Sequence, residues 1–373
     1  MHANNKAVWL FGSGCSKPLG APLLCDFFGR TLEARIQAAV SVLGNDVAWA
    51  EKFAALITNL RAVYDGGLEE ERINTRFQRG PWANAEEFLE YVDMAGAGDP
   101  AARALIQNAL SHGKMEYRGD NRFVELAKDV RGYLAAACHF FVPEQSIIDS
   151  SERWAPHRRW GGQLLPQDHV ISFNYDVVAE RVRGKGKIAL FGREHANAAG
   201  NWIDNILGSG SQLIKLHGSV SKAWALDEPN EPLPKLADVW TAIRERHRFE
   251  IAAPGPGKLA ASKDYFKPHW QLARRAIESA DVVTFVGYRI PETDSYACEQ
   301  LVHAFGNHPK KSHLTVRIVL GPTRDRDVER LIRLLRWSGC HSARVIFEPL
   351  WAQDFFSVFD RTHLASVTGG FGG

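Results

Sequence analysis

Near its N-terminus the chain passes from a short apolar run into a glycine-rich turn and then into the start of a helix. Residues 7–11 read AVWLF, as expected of a strand covered on both faces, and Gly12, Gly14 and Gly20 follow. Glycine adopts positive φ without strain, so we expect Gly12 and Gly14 to turn backbone N–H groups toward a pyrophosphate at the positive end of the helix. An ordinary β–α turn that needs glycine would give the same short pattern. The segment therefore predicts a strand of a parallel α/β sheet.

Three further apolar runs end in small or polar residues, as the first one does. The runs span residues 170–173, 213–216 and 282–286. The residues that follow them are Asn174, Tyr175 and Asp176, then His217, Gly218 and Ser219, and finally Gly287 with a proline turn. Ligands of open α/β sheets bind beyond the carboxyl ends of the strands. Because packing alone does not require this repetition, the pattern favours a ligand site built from these strand ends.

The order of strand and helix patterns predicts an α/β fold: a Rossmann-like, mostly parallel sheet with helices on both faces and a large helical insertion. The sheet core would comprise residues 1–29 and 168–362, followed by a flexible tail at 363–373. Residues 30–167 would form the helical insertion, with helical patterns at 31–42, 47–64, 85–95, 100–110 and 122–141.

Two features of this helical region mark its internal boundaries. The pair Gly66-Gly67 and the segment Gly96-Ala97-Gly98 are expected to break helices. Trp154 and Trp160 flank Arg158 and Arg159 in a predicted loop that leads back to the core. Such a mixture is typical of interface anchors, although ordinary domain packing would also explain it.

Four short motifs occur along the chain in the same order as in a known family. One is the loop GSGCSKPLGAP, similar to Gly-Ala-Gly-x-Ser followed by Gly-x-Pro, and the next is SFNYD, similar to a Thr-x-Asn-x-Asp strand exit. The third is the His-Gly pair of KLHGS, and the fourth is GYRIPETD, similar to a Gly-Tyr-Ser-x-Pro-x-x-Asp turn. Together they resemble the sirtuin superfamily, specifically its divergent bacterial sirtuin-like domains that cleave NAD. The matching residues are Gly12, Gly14, Ser16, Gly20, Pro22, Asn174, Asp176, His217, Gly218, Gly287, Tyr288, Pro291 and Asp294.

The chain departs from the family pattern at three points. Ser13 replaces the second residue of the Gly-Ala-Gly loop, a change of one hydroxyl, and we expect it to bind the nucleotide with its neighbours. Arg289 replaces a small residue, and it would either pair with a phosphate or point into solvent. Sirtuin deacylases carry zinc on two Cys-x-x-Cys pairs, whereas the cysteines here have no such spacing, so we expect neither zinc nor another metal. They are Cys15, Cys25, Cys138, Cys298 and Cys340.

The resemblance implies that Asn174, His217 and Asp176 act on NAD. An asparagine amide can donate to a water and accept from a ribose hydroxyl, and a histidine can take a proton near neutral pH. Asp176 would stabilise positive charge on the ribose or hold Asn174 in place. Structural roles would also explain these residues: a helix N-cap for Asn174, a helix-dipole partner for Asp176, a core histidine for His217 and a turn residue for Asp294.

The leading hypothesis is therefore an NAD glycohydrolase, with NAD as its substrate. By resemblance, zinc-free bacterial sirtuin-like proteins deplete NAD in antiviral defence, commonly as homo-oligomers that a partner activates. A HerA-type ATPase or an Argonaute-like protein would be such a partner. The alternatives are a transferase of ADP-ribose or acyl groups on protein, and a non-catalytic module whose NAD or ADP-ribose occupancy controls assembly.

Charge and composition fit this hypothesis and exclude other classes. The net charge is only +2, from 45 basic and 43 acidic side chains, so we expect no direct binding of nucleic acid. No apolar stretch is long enough to span a bilayer, and the N-terminus does not resemble a signal peptide, so we expect no membrane association. The odd number of scattered cysteines suggests reduced thiols in the cytoplasm.

Overall fold

The computed structural model describes residues 5–42, 46–73, 82, 84–110, 117, 119–182, 189–191, 211–224, 233–252, 254, 256–291 and 294–364. Within these residues the strands are β1 (Ala7–Phe11), β2 (His169–Ser172), β3 (Ala189–Leu190), β4 (Gln212–Lys215), β5 (Gly218–Trp224), β6 (Lys235–Leu236), β7 (Arg248–Ile251), β8 (Val282–Val286), β9 (Thr315–Val319) and β10 (Arg344–Phe347). Seven of them form one parallel sheet in the order β10-β9-β8-β1-β2-β4-β3. The predicted α/β class, with a Rossmann-like parallel sheet flanked by helices, is confirmed.

The described helices of the first half of the chain are α1 (Ser13–Ser16), α2 (Arg30–Val42), α3 (Val47–Ile73), α4 (Ala85–Gly96), α5 (Pro100–Leu110), α6 (Arg122–His139), α7 (Gln145–Ser150) and α8 (Ala155–Gly161). Those of the second half are α9 (Val178–Arg181), α10 (Val239–Arg244), α11 (Pro256–Lys263), α12 (Lys267–Glu278), α13 (Ser295–Gly306), α14 (Arg326–Trp337) and α15 (Ala352–Val358). No described helix is both long enough and apolar enough to cross a lipid bilayer.

The order of the strands creates a crevice beside β1. The chain moves from β1 to β2 and the strands beyond it, and then returns to β8 on the other side of β1. At such a reversal the loops diverge above and below the sheet and leave space between them. The loops at the carboxyl ends of β1, β2 and β8 therefore surround one site.

Side chains of β1 alternate between two apolar cores, one on each face of the sheet. Trp9 and Phe11 belong to the core that includes the helical region, whereas Val8 and Leu10 face α12, α13 and α14. All five residues of β1 are buried, which explains why its sequence is continuously apolar. Because α2 to α6 share a core with the sheet, the helical region packs as part of one molecule with it.

The helices fall close to their predicted positions, with two exceptions. The glycines at 66–67 lie inside α3, which continues to Ile73, so the predicted break there is wrong. A glycine costs about 1 kcal/mol in a helix, and the buried residues Phe53, Ile57, Leu60 and Val63 hold the helix in place despite that cost. The predicted break at 96–98 is confirmed, since α4 ends at Gly96 and Gly98 has a φ of 102°.

The second exception is the segment from Trp154 to Trp160, which is not a loop. It forms α8, and both tryptophans are buried. The Trp160 ring packs edge-on against Trp9, with ring centroids 5.4 Å apart. These side chains therefore serve internal packing, and the alternative of a partner contact through them is wrong.

The C-terminal part of the described chain is anchored at the amino ends of β1 and β2, whereas the crevice lies at their carboxyl ends. Arg361 forms two hydrogen bonds to the buried carboxylate of Asp168, one of them 2.9 Å long, and Asp168 also accepts from the Ala7 N–H. Leu364 is buried, and residues 365–373 of the predicted tail lie outside the described residues.

Candidate active site

A cavity of about 900 Å³ lies beyond the carboxyl ends of β1, β2, β4, β8 and β9. Sites for small molecules and cofactors usually occupy roughly 300–1,000 Å³. The predicted site residues that line this cavity are Gly12, Ser13, Gly14, Pro22, Asn174, Asp176, His217, Gly287, Tyr288, Arg289 and Asp294. Ser16, Gly20 and Gly218 do not line it, although Ser16 is hydrogen-bonded to residues that do.

The glycine loop after β1 is shaped by contact with the loop after β8. Gly12 has a φ of −119° and Gly14 also lacks positive φ, so the prediction of left-handed conformations there is wrong. A Cβ at Gly12 would lie 2.6 Å from the carbonyl oxygen of Gly287, which explains the need for glycine. The N–H groups of Gly12 and Gly14 donate to Val286 and Gly287 and are not free for a phosphate.

One N–H group of this loop remains available at the cavity. The backbone N–H of Ser13, the first residue of α1, donates to no acceptor among the described residues. Its side chain is exposed at the cavity. An anion at this point would therefore meet one backbone donor, rather than the two predicted from Gly12 and Gly14.

The side chain of Asn174 is held by the glycine loop. Its Nδ2 donates to the Gly12 carbonyl at 3.0 Å and to Ser16 Oγ at 3.2 Å. Both amide protons are thus used inside the protein, whereas Oδ1 accepts no hydrogen bond from a described residue. Because Asn174 lines the cavity, Oδ1 can accept from a ligand hydroxyl, and the predicted donation to a water is not available in this arrangement.

Asp176 is buried close to the Ser16 hydroxyl, which accepts from Asn174. Its Oδ1 accepts from the Val178 N–H at the start of α9 at 3.0 Å. Burial raises the pKa of Asp176, while Lys215, the Val178 N–H and the Ser16 hydroxyl oppose that rise. The carboxylate therefore supports the start of α9 and lies near the Ser16–Asn174 pair.

His217 reaches the cavity because the chain turns sharply after β4. The next residue, Gly218, has a φ of 85°, and a Cβ there would lie 1.8 Å from the Glu250 carbonyl oxygen. Only glycine fits this turn against β7. His217 Nδ1 lies 3.2 Å from the Phe173 carbonyl, which can only accept, so Nδ1 carries the proton of the neutral ring.

The other ring nitrogen, Nε2, faces Asp294. It lies 3.2 Å from Asp294 Oδ2, and it receives no hydrogen bond from any described donor. Lys258 Nζ and the Tyr288 hydroxyl lie 3.3 Å from the same carboxylate oxygen. Three side chains therefore meet around one oxygen atom, in a region where His217 and Asp294 are each only 5% exposed.

The charges in this cluster follow from burial and from Lys258. Burial tends to raise the pKa of Asp294, but a protonated His217, and Lys258 with it, would hold that pKa well below its usual range. Burial and then Lys258 lower the pKa of His217, against the opposite effect of Asp294. A neutral ring leaves Lys258 as the cation that keeps Asp294 ionised, so near neutral pH we assign a neutral His217 beside a Lys258–Asp294 ion pair.

Arg289 is paired with carboxylates of the protein itself. Its Nη1 bonds to Asp325 and lies 2.8 Å from Asp327, and Nη2 donates to the Leu320 carbonyl at 2.9 Å. The guanidinium is therefore already paired with two carboxylates at the end of the cavity near α14. Trp351, Gln353 and Asp354 line the same end.

The helical region supplies an apolar wall that the sequence motifs did not predict. Leu89 from α4 and Leu134 from α6 line the cavity opposite the strand ends, together with Phe27 and Phe141. Lys258 was also missed, because it belongs to none of the four motifs. It follows β7 in the segment IAAPGPGK, so the same attention to strand ends could have found it.

The described residues contain no group of three or more histidine, cysteine, aspartate or glutamate side chains arranged to hold a metal ion. Comparison with models of protein families and with curated protein sequences finds no match for this chain.

Proposed function

We propose that the protein is an NAD glycohydrolase, which uses water to convert NAD into nicotinamide and ADP-ribose. One observation carries this proposal: Asn174 and His217 line the same cavity at the ends of neighbouring strands. Asn174 Oδ1 and His217 Nε2 both lack a hydrogen-bond donor among the described residues. An amide oxygen can accept a hydrogen bond from a ribose hydroxyl and so hold the sugar. An unprotonated imidazole nitrogen can take a proton from the water that attacks the sugar.

In the proposed reaction the bond between ribose C1′ and the nicotinamide nitrogen breaks. Its electron pair leaves with nicotinamide, which is cationic in NAD and departs neutral, so no strong general acid is needed. A water oxygen forms the new bond to C1′, and one water proton passes to His217 Nε2 and later to solvent. Asp294 then faces an imidazolium and stabilises it.

The other polar residues would orient the substrate. Asn174 Oδ1 accepts from a ribose hydroxyl, and Gly12 and Ser16 keep the amide in the required orientation. The Ser13 N–H is the backbone donor of this loop that would be available to the pyrophosphate. Cavity volume and apolar walls are compatible with a dinucleotide.

The resemblance to zinc-free bacterial sirtuin-like domains supports the same reaction and extends the proposal. By that analogy, the protein depletes NAD during antiviral defence in the cytoplasm, as a homo-oligomer. A separate partner, such as a HerA-type ATPase or an Argonaute-like protein, would activate it.

The test is to incubate the purified protein with NAD and to measure nicotinamide by chromatography. We expect release by the natural sequence, and a loss of at least about 100-fold in rate for His217→Ala and for Asn174→Ala. The control is His303→Ala, which changes an exposed histidine of α13 and should leave the rate unchanged. Binding of NAD with no release in any oligomeric state would instead favour a non-catalytic binding module.

A further inference from the structure

We propose that Lys258 is a positioning residue that keeps His217 Nε2 unprotonated and ready to accept a proton. The inference rests on the proposed function, since it names the group that controls the general base of that reaction. Lys258 contacts Asp294 rather than the reacting atoms, and it acts on His217 through the charge of the shared carboxylate.

Three side chains surround Asp294 Oδ2. Lys258 and Tyr288 can both donate to this oxygen, at 3.3 Å each. His217 Nε2 lies 3.2 Å away, but its only ring proton is on Nδ1, which donates to Phe173. A nitrogen lone pair therefore faces a carboxylate oxygen, and this contact is repulsive unless a proton or a nearby cation compensates it.

Two arrangements remove that repulsion. A proton can enter between Nε2 and Oδ2, which would make the imidazole a permanent cation and useless as a base. Alternatively, the Lys258 ammonium can neutralise the carboxylate from the other side, which leaves the lone pair free. The second arrangement is favoured because Lys258 is itself largely buried, with a side chain only 16% exposed, so its charge is weakly screened.

The surroundings of His217 contain few other groups that could play this part. Among the described residues, the titratable groups facing the ring are Asp294, Lys258, Tyr288 and Tyr175, whose ring centroid lies 6.3 Å from that of His217. Both tyrosines are neutral at physiological pH, and the Tyr175 hydroxyl donates to the Ala252 carbonyl at 2.6 Å. Lys258 is thus the only cation in this set.

The place of Lys258 in the fold suits a fixed charge. It lies in α11, which follows β7 and packs against α4 and α12. Asp294 directly precedes α13, and His217 follows β4, so the cluster connects three separate parts of the chain. Such a cluster holds its geometry only in the folded protein.

Loss of the ammonium should leave Asp294 free to draw a proton onto His217. The lysine and imidazole nitrogens both lie within 3.3 Å of the same oxygen, so a unit charge is removed at close range. We expect the pKa of His217 in Lys258→Gln to rise by about two pH units at an effective dielectric constant of roughly 20. The acid limb of the pH–rate profile should move to higher pH by the same amount, because His217 is then protonated at a higher pH.

The experiment measures nicotinamide release against pH, together with the His217 ring signals by NMR without NAD, assigned by comparison with His217→Gln. Lys258→Gln should shift both the rate profile and the NMR titration upward. Lys258→Arg, which keeps the charge, and Lys263→Gln, on the exposed end of the same helix, should leave both unchanged. If Lys258→Gln does not fold, Lys258→Met, which keeps the apolar stem, replaces it.

If the pKa of His217 in Lys258→Gln is equal to or lower than that in the natural sequence, this inference is overturned. The NMR titration needs no turnover, so it remains decisive if the protein releases no nicotinamide. In that case the proposed function fails while the role of Lys258 is still tested.

Discussion

The loops after β1 and β8 touch through their backbones, and this contact depends on residues without side chains. Gly287 has a φ of 65°, and a Cβ there would lie 2.3 Å from the Cys15 nitrogen. The contact fixes the positions of Ser13 and Tyr288, which both line the cavity. Glycine at 287 is therefore required by the packing of the two loops, whatever ligand they bind.

Gly287→Ala should destabilise the protein far more than a matched glycine substitution elsewhere. Gly119 has a similar φ of 74°, but a Cβ there would meet no atom within 4 Å. Substitution at this position therefore measures the cost of positive φ without a steric clash. We expect Gly119→Ala to lower the free energy of unfolding by about 1–2 kcal/mol. Gly287→Ala adds a backbone clash and should cost more than about 3 kcal/mol in urea denaturation. Equal losses for the two variants would contradict this view of the loop contact.

Helix α14 holds the loop after β8 in an unusual conformation. Ile290 has a φ of 50°, which is rare for a β-branched residue. Arg330 of α14 donates to the carbonyl oxygens of Arg289, at 2.8 Å, and Ile290. Because this loop carries Tyr288 and leads to Asp294, the helix controls the shape of one wall of the cavity.

Arg330→Ala should therefore weaken ligand binding more than it weakens the fold. Without the two hydrogen bonds the loop can relax away from its strained conformation, and we expect the KM for NAD to rise by about tenfold. Arg333→Ala removes an exposed arginine of the same helix and should leave KM unchanged. Steady-state kinetics would measure the KM of the two variants, and thermal melting would check that both are folded. A KM for Arg330→Ala equal to that of Arg333→Ala would count against the role of α14.

Regular elements were predictable from the sequence because their signals are local. The apolar run of β1, the largely apolar run of β8 and the apolar spacing of α5 and α6 lie within the elements themselves. The motifs at strand ends also indicated most of the cavity, since the carboxyl ends of parallel strands meet at one edge of the sheet.

What the sequence did not reveal depends on contacts between distant segments. Gly12 must be glycine because Gly287 packs against it. Asn174 Oδ1 remains available because the amide protons of Asn174 donate to Gly12 and Ser16. Asp294 is ionised because Lys258 lies beside it. The apolar wall from α4 and α6 is likewise a product of packing. No pattern of neighbouring residues encodes these contacts.

The molecule as a whole should lose stability as the pH falls below neutral. Burial lowers the pKa of three histidines in the folded protein, each to about 4, and these are His139, His157 and His169. In the unfolded chain they take up protons below about pH 6.5, so the unfolded state binds more protons and is favoured. The stability they contribute is fully present above pH 6.5 and is lost as the pH falls toward 4.

Urea denaturation at pH 7.5 and pH 5.5 measures this effect. Each of the three histidines should lower the free energy of unfolding by about 1 kcal/mol at pH 5.5 relative to pH 7.5. His157→Gln removes one of them, and its amide can still donate to the Cys15 carbonyl that His157 contacts at 3.0 Å. That variant should lose less stability than the natural sequence between the two pH values. An equal loss in both proteins would contradict the assignment of a neutral, buried His157.

The proposed function requires one sugar carbon to lie within reach of both Asn174 and His217. A crystal structure of the natural protein with bound ADP-ribose would decide this. We expect the pyrophosphate beside Ser13, with the anomeric carbon of the terminal ribose within about 4 Å of both Asn174 Oδ1 and His217 Nε2, directly or through one water. ADP-ribose bound elsewhere, or bound here with that carbon turned away from both groups, would contradict it.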